Sequence, residues 1–230
     1  MSRESFLARV REAAAAGRRY RVRDIDNLDE SAGYVGGGDD LPTRLAEEIV
    51  SAGGQAHLVD GLDAAAERLR GLLIELAPKA VLCWRHAVLE RLGLPKLLGE
   101  MNIDAIDHAR LAALNESQRR QAVLAAEIGI TSTTYAVAES GTLALASAPG
   151  SERLTSLLPP VHVAVVQSDQ ILADLFDLFR RMKTGAIDAL PTNLTLVTGP
   201  SKTGDLELRL TTGVHGPGRW EVIIIRSHGV

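Results

Sequence analysis

The sequence predicts an α/β fold with a mainly parallel central sheet and helices on both faces. From Asp40 onward, helix-type and strand-type segments alternate along the chain. Several strand-type segments are almost wholly apolar, such as AVLCW (80–84) and VHVAVV (161–166). Strands of this kind are usually buried on both faces, which is typical of a parallel sheet covered by helices.

The first half of the domain supplies three helices and two strands. Asp40 can cap the first helix, Pro42 suits its first turn, and Gly53 can end it. Apolar residues at helical spacing then predict a second helix over Leu62–Leu76. The other predicted elements here are the strand HLVD (57–60), the strand AVLCW and a helix over Glu116–Ile128.

The second half continues the alternation. After the strand VHVAVVQ (161–167), Ser168 or Asp169 can cap a helix with a basic last turn. One face of this helix would carry Ile171, Leu175, Leu178 and Met182. The last predicted strands are LTLVTG (194–199) and EVIIIRS (221–227).

The domain organisation changes near residue 40. Residues 1–39 are predicted to form a helix at Ser2–Ala16 and then a flexible arm that ends in the Gly-rich stretch GYVGGGDD (33–40). Residues 40–230 are predicted to form one α/β domain.

Composition and charge exclude several classes of protein. A formal net charge of −4 and an aromatic content of 3% argue against nucleic-acid binding. The single cysteine, Cys83, cannot form an internal disulfide or hold an iron–sulfur cluster, which needs about four thiolates. Histidines and Cys83 show no metal-ligand spacing, so we predict no metal site. The N-terminal segment has no signal-peptide core and no run reaches the ~18 apolar residues of a membrane span, so we expect a cytoplasmic protein.

The first candidate for a functional site is AVAESGT (136–142). It places the carboxylate of Glu139 between two apolar strand-like runs, beside Ser140, Gly141 and Thr142. Glycine permits the backbone conformation of a tight turn. Glu139 would either set this turn by accepting backbone hydrogen bonds or act chemically on a bound molecule.

The second candidate is TGPSKTGDLELRLTTGVHGPG (198–218), which follows the strand LTLV. Short glycine-rich turns let backbone N–H groups approach an anion, and hydroxyls and a lysine add donors. Asp205 stands where a Walker A loop would have lysine, so this pattern is not a Walker A loop. The segment is therefore either an anion cradle or a solvated connection between strands. Its candidate residues are Gly199, Ser201, Lys202, Thr203, Gly204, Asp205, His215 and Gly216.

Three of the candidate residues each have two possible interpretations. Arg153 is either a surface residue at a helix start or a second contact to the anion. His215 is either a site residue or a packed loop histidine, and Lys202 is either a solvated cation or an anion ligand. A fourth residue, His162, lies inside a strand, and this position favours a core histidine over a catalytic one.

Three segments together resemble a known family. GITSTTYAVAESGTLAL (129–145), RLTSLLPPVHVAVV (153–166) and GPSKTGDLELRLTTGVHGP (199–217) are similar, in order and spacing, to the signatures of the lactate utilization protein C family. These proteins consist of the LUD domain. The resemblance implies an α/β fold like that of ribose-5-phosphate isomerase, glucosamine-6-phosphate deaminase and the CoA transferases.

The resemblance also implies a function. The chain would be the cluster-free component of a bacterial system that oxidises L-lactate to pyruvate, and two cysteine-rich partner proteins would carry the iron–sulfur clusters. We expect no cofactor on this chain itself, in keeping with its single cysteine. Two alternatives stay open: an independent isomerase-like or CoA-transferase-like enzyme acting on a phosphorylated or CoA-linked metabolite, and a non-catalytic regulatory module that binds a metabolite.

The same resemblance suggests roles for the candidate residues. Glutamate beside a glycine turn is the nucleophile in CoA transferases, and carboxylates in similar loops are bases in sugar-phosphate isomerases, so Glu139 would be either. We expect Glu139 and the loop Gly199–Asp205 to meet at the carboxyl edge of the sheet, with His215 and Gly216 nearby. The bound anion would be lactate, pyruvate or a phosphorylated ligand.

Overall fold

The computed structural model of the protein describes residues 2–17, 36–183, 191–204 and 210–226. The described strands are β1 (Gln55–Asp60), β2 (Ala80–Cys83), β3 (Asp104–Ile106), β4 (Ile128–Thr131), β5 (Tyr135–Val137), β6 (Thr142–Ala146), β7 (Val161–Gln167), β8 (Ile171–Leu172), β9 (Leu194–Val197), β10 (Lys202–Gly204), β11 (Leu210–Thr212) and β12 (Arg219–Arg226). The described helices are α1 (Arg3–Gly17), α2 (Leu41–Ser51), α3 (Gly61–Leu76), α4 (Ala87–Arg91), α5 (Leu94–Glu100), α6 (His108–Ala113), α7 (Glu116–Ala125), α8 (Leu154–Leu157) and α9 (Leu175–Lys183).

The central sheet confirms the predicted fold class. Its strand order is β1-β12-β7-β4-β2-β3, and each neighbouring pair is parallel. The apolar strands are buried as their sequences indicate: every residue of β2 and β4 is buried, and so are 162–166 of β7. A parallel sheet needs both faces covered, and continuous apolar strands meet that requirement.

Helices cover both faces of this sheet. Neighbouring residues of a strand point to opposite faces. Trp220 of β12 packs against Gly54 and Ile49 at the end of α2. The next residue, Glu221, points the other way and binds His57, beside which Arg68 of α3 lies. Helices α2 and α3 therefore lie on opposite faces.

A smaller sheet packs beside the main one, in the strand order β8-β5-β6-β9. Strand β6 pairs antiparallel with both β5 and β9, whereas β8 pairs parallel with β5. Strands β10 and β11 form a separate antiparallel hairpin. This smaller sheet and the hairpin carry both segments that the sequence marked as candidate sites.

Two predicted helix boundaries are wrong. Helix α7 begins with a capping box between Asn115 and Gln118 but ends at Ala125, because Ile128 already pairs with β2 and β7. Residues Ser168–Gln170 form a short 3-10 turn followed by β8, so they do not cap the next helix. Helix α9 begins only at Leu175.

At the start of α9, the Asp174 carboxylate accepts a hydrogen bond from the Asp177 backbone N–H. Asp174 therefore provides the capping contact that the sequence analysis expected from Ser168 or Asp169. Ile171, predicted to lie on the helix, belongs to β8 instead.

The chain divides into two compact units, Met1–Val35 and Gly36–Val230. In the first unit, α1 covers nearly the predicted span Ser2–Ala16. Residues 18–35, which include most of the predicted flexible arm, lie outside the described residues. In the described ranges, no helix is both long enough and apolar enough to cross a membrane.

A glycine allows α8 to lie directly on the central sheet. Gly129 of β4 is paired in register with His162 of β7, which is paired with Trp220 of β12. A Cβ atom at Gly129 would lie only 1.7 Å from the backbone oxygen of Thr155 in α8. No side chain fits in this space, so glycine at position 129 sets the position of α8.

We predict that Gly129→Ala destabilises the protein strongly, because either the strand or α8 must move. The free energy of unfolding, measured by urea denaturation, should fall by about 3 kcal/mol or more. Gly71→Ala is the control: it adds the same methyl group in α3, where nothing lies within 4 Å, and should raise stability by about 0.5–1 kcal/mol. Equal stability of the two variants would contradict the contact between α8 and the sheet.

Candidate functional site

A cavity of about 250 Å³ lies over the amino ends of the central strands. His162 and Trp220 line it, and each is the second residue of its strand. Because the strands are parallel, their second residues lie at the same edge of the sheet. The cavity is lined by Ser156, Leu157, His162, 195–201, 215–217 and Trp220.

The two ends of the glycine-rich segment meet at this cavity. The Ser201 N–H donates to the Pro217 carbonyl at 2.9 Å, and the Gly213 N–H donates to the Ser201 carbonyl at 3.0 Å. The Gly218 N–H donates to the carbonyl of Pro160, just before β7. These bonds join residues 199–201 to residues 215–217. Four predicted site residues therefore line one cavity: Gly199, Ser201, His215 and Gly216.

Two buried nitrogens of the cavity lining have no hydrogen-bond partner within the described part of the chain. They are Nδ1 of His162 and Nε1 of Trp220, whose residues are 1% and 2% exposed. The other ring nitrogen of His162, Nε2, lies 2.9 Å from the Thr131 hydroxyl. Both atoms are enclosed by protein. A buried polar group without a partner costs about 1–3 kcal/mol, so this part of the core is less stable than a fully hydrogen-bonded one would be.

Burial lowers the pKa of His162 to about 4. Its imidazole is therefore neutral at pH 7. None of the lining residues is Lys, Arg, Asp or Glu. The cavity thus offers neutral hydrogen-bonding groups and carries no side chain with a permanent charge.

The sequence analysis did not find this pair. The prediction that His162 is a core histidine is confirmed by its 1% exposure. The available signal was a polar aromatic side chain at the second position of two apolar strands. That signal has a meaning only when the two strands are known to be neighbours in register.

Lys202 does not line the cavity. Its ammonium group donates a hydrogen bond of 2.6 Å to the backbone oxygen of Ala52, the C-terminal cap residue of α2. A cation at this end of a helix satisfies a free carbonyl and interacts favourably with the helix dipole. Thr203 and Gly204 follow in β10 and pair with β11, and Asp205 lies outside the described residues.

Glu139 lies in a 3-10 turn between β5 and β6, as the sequence predicted for a turn, but it does not line the cavity. Its backbone N–H donates to Ala173, and its carboxylate accepts from the Gly36 N–H at 3.4 Å. Gly36 lies just before α2, and Gly141 of the same turn packs on Glu48 near the C-terminal end of that helix. The Lys202 side chain and the turn that contains Glu139 therefore both contact α2 or its C-terminal cap residue. That they hold one anion stays a prediction.

Hydroxyl groups connect the Glu139 turn to the cavity wall. The Ser140 hydroxyl lies 2.8 Å from that of Thr142, which lies 2.7 Å from the hydroxyl of Thr198. Thr198 lines the cavity, whereas Ser140 and Thr142 do not. The Glu139 turn therefore reaches the cavity only through Thr198. Gly141 has φ +63°, and a Cβ there would lie 2.7 Å from the backbone of Glu48, so the turn packs tightly on α2.

Arg153 is an exposed residue at the start of α8, and its carbonyl accepts a hydrogen bond from the Ser156 hydroxyl. It does not line the cavity, and Ser156 does.

The cavity lies at the amino edge of the sheet, not at the expected carboxyl edge. The reason is the pairing of β9. This strand does not belong to the parallel sheet but pairs antiparallel with β6. The loop that follows it therefore returns to the starts of β7 and β12.

A family model described as the LUD domain matches residues 43–225. The chain belongs to the LUD domain family. A relative named lactate utilization protein C from Halalkalibacterium halodurans is 29% identical over 238 residues, which cover 98% of each chain. The protein of the same name from Shouchella clausii is 30% identical over 185 residues, 78% of this chain and 76% of the relative.

Two further proteins are similar. The uncharacterized protein YkgG of Escherichia coli is 34% identical over 166 residues, covering 71% of this chain and 70% of that protein. The crystal structure of a DUF162 family protein from Deinococcus radiodurans has a TM-score of 0.49 and 22% identity, covering 80% of this chain and 94% of its own.

In this LUD domain, the single cysteine is a buried thiol. Burial raises the pKa of Cys83 to about 11, and the nearby carboxylates of Asp107 and Glu152 act in the same direction. Cys83 is therefore protonated at neutral pH, which makes it a poor nucleophile and a poor metal ligand. Among the residues that the structure describes, no group of three or more His, Cys, Asp or Glu side chains is arranged to hold a metal ion.

We predict that His162 makes the LUD domain sensitive to acid. When the chain is unfolded, this histidine takes up a proton near pH 6.5, but in the folded protein it does so only near pH 4. Between these values the unfolded state binds more protons, so the free energy of unfolding falls as the pH drops.

The variant His162→Gln keeps a polar side chain but cannot titrate. Between pH 7 and pH 4.5 the parent should lose about 2–3 kcal/mol more stability in urea denaturation than this variant does. Parallel losses in the two proteins would show that His162 is not buried in the neutral form.

Proposed function

We propose that this LUD domain protein is the cluster-free component of a bacterial L-lactate utilization system, and that it provides a binding site for a small carboxylate. The system would oxidise L-lactate to pyruvate together with two cysteine-rich iron–sulfur proteins. The observation that carries the site proposal is the amino-edge cavity, in which Ser201, His215 and Gly216 meet. The names of the relatives from Halalkalibacterium and Shouchella support the pathway.

The size of the cavity favours a small ligand. Its volume of about 250 Å³ lies below the ~300–1,000 Å³ typical of sites for drug-sized molecules. A three-carbon acid suits this space better than a CoA ester does.

The charge of the lining favours a monocarboxylate over a phosphate ester. Phosphate groups are usually held by Arg, Lys or a metal ion, because a doubly charged group needs charged partners. The described lining contains none of these side chains. A single carboxylate can be held by hydroxyl donors near solvent, such as the side chain of Ser201 in the cavity lining.

We propose His215 as the residue that exchanges a proton with the ligand. Its exposed side chain belongs to the cavity lining, and histidine is the commonest general acid or base in enzymes. Glu139 would instead hold the turn against α2, in keeping with its contact to Gly36.

The assembled system tests this function. The two partner proteins and this chain should together reduce a dye in the presence of L-lactate, and omission of this chain should abolish the reaction. His215→Gln should lower the rate by about 10²–10⁴ if it removes a general acid or base. Glu139→Gln should keep the rate per folded molecule within about twofold and lower only the thermal midpoint.

Two results would contradict the proposal. One is full lactate-dependent dye reduction without this chain. The other is the opposite pattern of activity, in which Glu139→Gln is folded but inactive and His215→Gln is active. Turnover of a phosphorylated or CoA-linked substrate by the isolated chain would favour an independent enzyme instead.

A further inference from the structure

We infer that the protein has a second binding site, a cavity at the carboxyl edge of the central sheet that takes a free α-amino acid with a large apolar side chain. The ammonium group would face Asp107, the carboxylate would face Arg85, and the side chain would enter the apolar part of the cavity. The inference does not rest on the proposed function, because that function uses the cavity at the other edge.

The second cavity has a volume of about 500 Å³. It lies between the ends of β2 and β3 and the two helices, α4 and α5, that join these strands. The lining includes Cys83, Trp84 and Arg85 at the end of β2, and Ala105 and Asp107 at the end of β3. In parallel α/β sheets, the crevice outside the carboxyl ends of the strands is the usual place for a ligand.

The strand order places this cavity beside a switch point of the sheet. The chain leads from β2 to its neighbour β3 on one side, whereas the next strand of the same sheet after β4 is β7, on the other side. Because β2 and β4 are paired with each other, the two connections leave the pair in opposite directions. Such a point opens a crevice at the carboxyl edge.

Apolar side chains form the part of the cavity next to the helices. Leu89 of α4 and Leu94, Pro95 and Leu98 of α5 line it, and Trp84 adds an aromatic ring. The volume lies within the ~300–1,000 Å³ typical of small-molecule sites. A branched or aromatic side chain fits here, and its burial favours binding through the hydrophobic effect.

The polar part of the lining carries charges of both signs, on Arg85, Glu90 and Asp107. Within the described part of the chain, the side chains of Arg85 and Glu90 have no hydrogen bond or ion pair. Asp107 Oδ1 accepts from the Arg110 N–H at 2.9 Å and so caps α6. Burial and the charge of Asp107 both raise the pKa of the Cys83 thiol, so this carboxylate lies near the Cys83 wall of the cavity.

This charge pattern favours a zwitterion. A ligand with a carboxylate alone would meet the like charges of Glu90 and Asp107, and a ligand with an ammonium group alone would meet Arg85. An α-amino acid carries both groups on one carbon atom. Its carboxylate can pair with the planar guanidinium of Arg85 while its ammonium group pairs with Asp107. The side chain leaves the same carbon atom and can enter the apolar part.

The two tryptophans of the chain report on the two cavities separately. Trp84 lines the carboxyl-edge cavity and Trp220 lines the amino-edge cavity. An ¹⁵N–¹H spectrum contains one indole resonance from each, and NOE-based assignment distinguishes them. The probes are L-phenylalanine, 3-phenylpropionate without the ammonium group, 2-phenylethylamine without the carboxylate, and L-alanine without the ring.

We expect L-phenylalanine to shift the Trp84 resonance and to leave the Trp220 resonance in place. Each of the other three probes should bind at least tenfold more weakly. The reason is that a charged group of the cavity, or its apolar part, then lacks a partner in the ligand.

Two variants test the charges, and a third is the control. Arg85→Gln should weaken L-phenylalanine binding at least tenfold without weakening 2-phenylethylamine binding. Asp107→Asn keeps the cap of α6, because asparagine caps helices as well as aspartate does. It should weaken L-phenylalanine binding by a similar factor without weakening 3-phenylpropionate binding. Arg120→Gln makes the charge change of Arg85→Gln on the exposed surface of α7, outside the cavity, and should leave every affinity unchanged.

Two outcomes overturn the inference. If 3-phenylpropionate or 2-phenylethylamine binds as tightly as L-phenylalanine, the cavity does not recognise an α-amino acid. If L-phenylalanine leaves the Trp84 resonance in place, the carboxyl-edge cavity is not its site, whether or not the Trp220 resonance moves. Neither outcome bears on lactate-dependent dye reduction by the assembled system, which tests the proposed function separately.

Discussion

The contact between the backbone of Gly129 and the carbonyl of Thr155 determines the shape of this protein around its cavity. Because position 129 has no side chain, α8 lies directly on the central sheet at the amino ends of its strands. This position places Ser156 and Leu157 of α8 beside His162 and closes one side of the cavity. The glycine-rich segment closes another side. Two ring nitrogens, His162 Nδ1 and Trp220 Nε1, are buried here without a hydrogen-bond partner among the described residues.

The residues that the sequence marked as one site divide into two groups with different roles. Gly199, Ser201, His215 and Gly216 line the cavity. Lys202 and the Glu139 turn both contact α2 or its C-terminal cap residue. The second group positions the first, since Thr142 of the turn bonds Thr198 in the cavity wall. The packing of α2 and the geometry of the site are therefore coupled.

The local pattern was sufficient to predict the parallel sheet, because continuous apolar strands such as VHVAVV need both faces covered. It did not indicate the cavity at the amino edge. The segment LTLV has the same apolar character in a parallel and in an antiparallel strand, and its pairing with β6 is set by distant residues. Likewise, the partner of Lys202 is Ala52, 150 residues away, so no local feature distinguishes a helix-capping lysine from an anion ligand.

The central claim is that ligand binds at the amino edge of the sheet, over Trp220 and His162. A crystal structure of the protein grown with pyruvate tests it most directly. We expect electron density for one acid molecule in the cavity, with its carboxylate within about 3.2 Å of the Ser201 hydroxyl. Density at the Glu139 turn or at the carboxyl edge of the sheet, with the cavity closed by protein side chains, would contradict it.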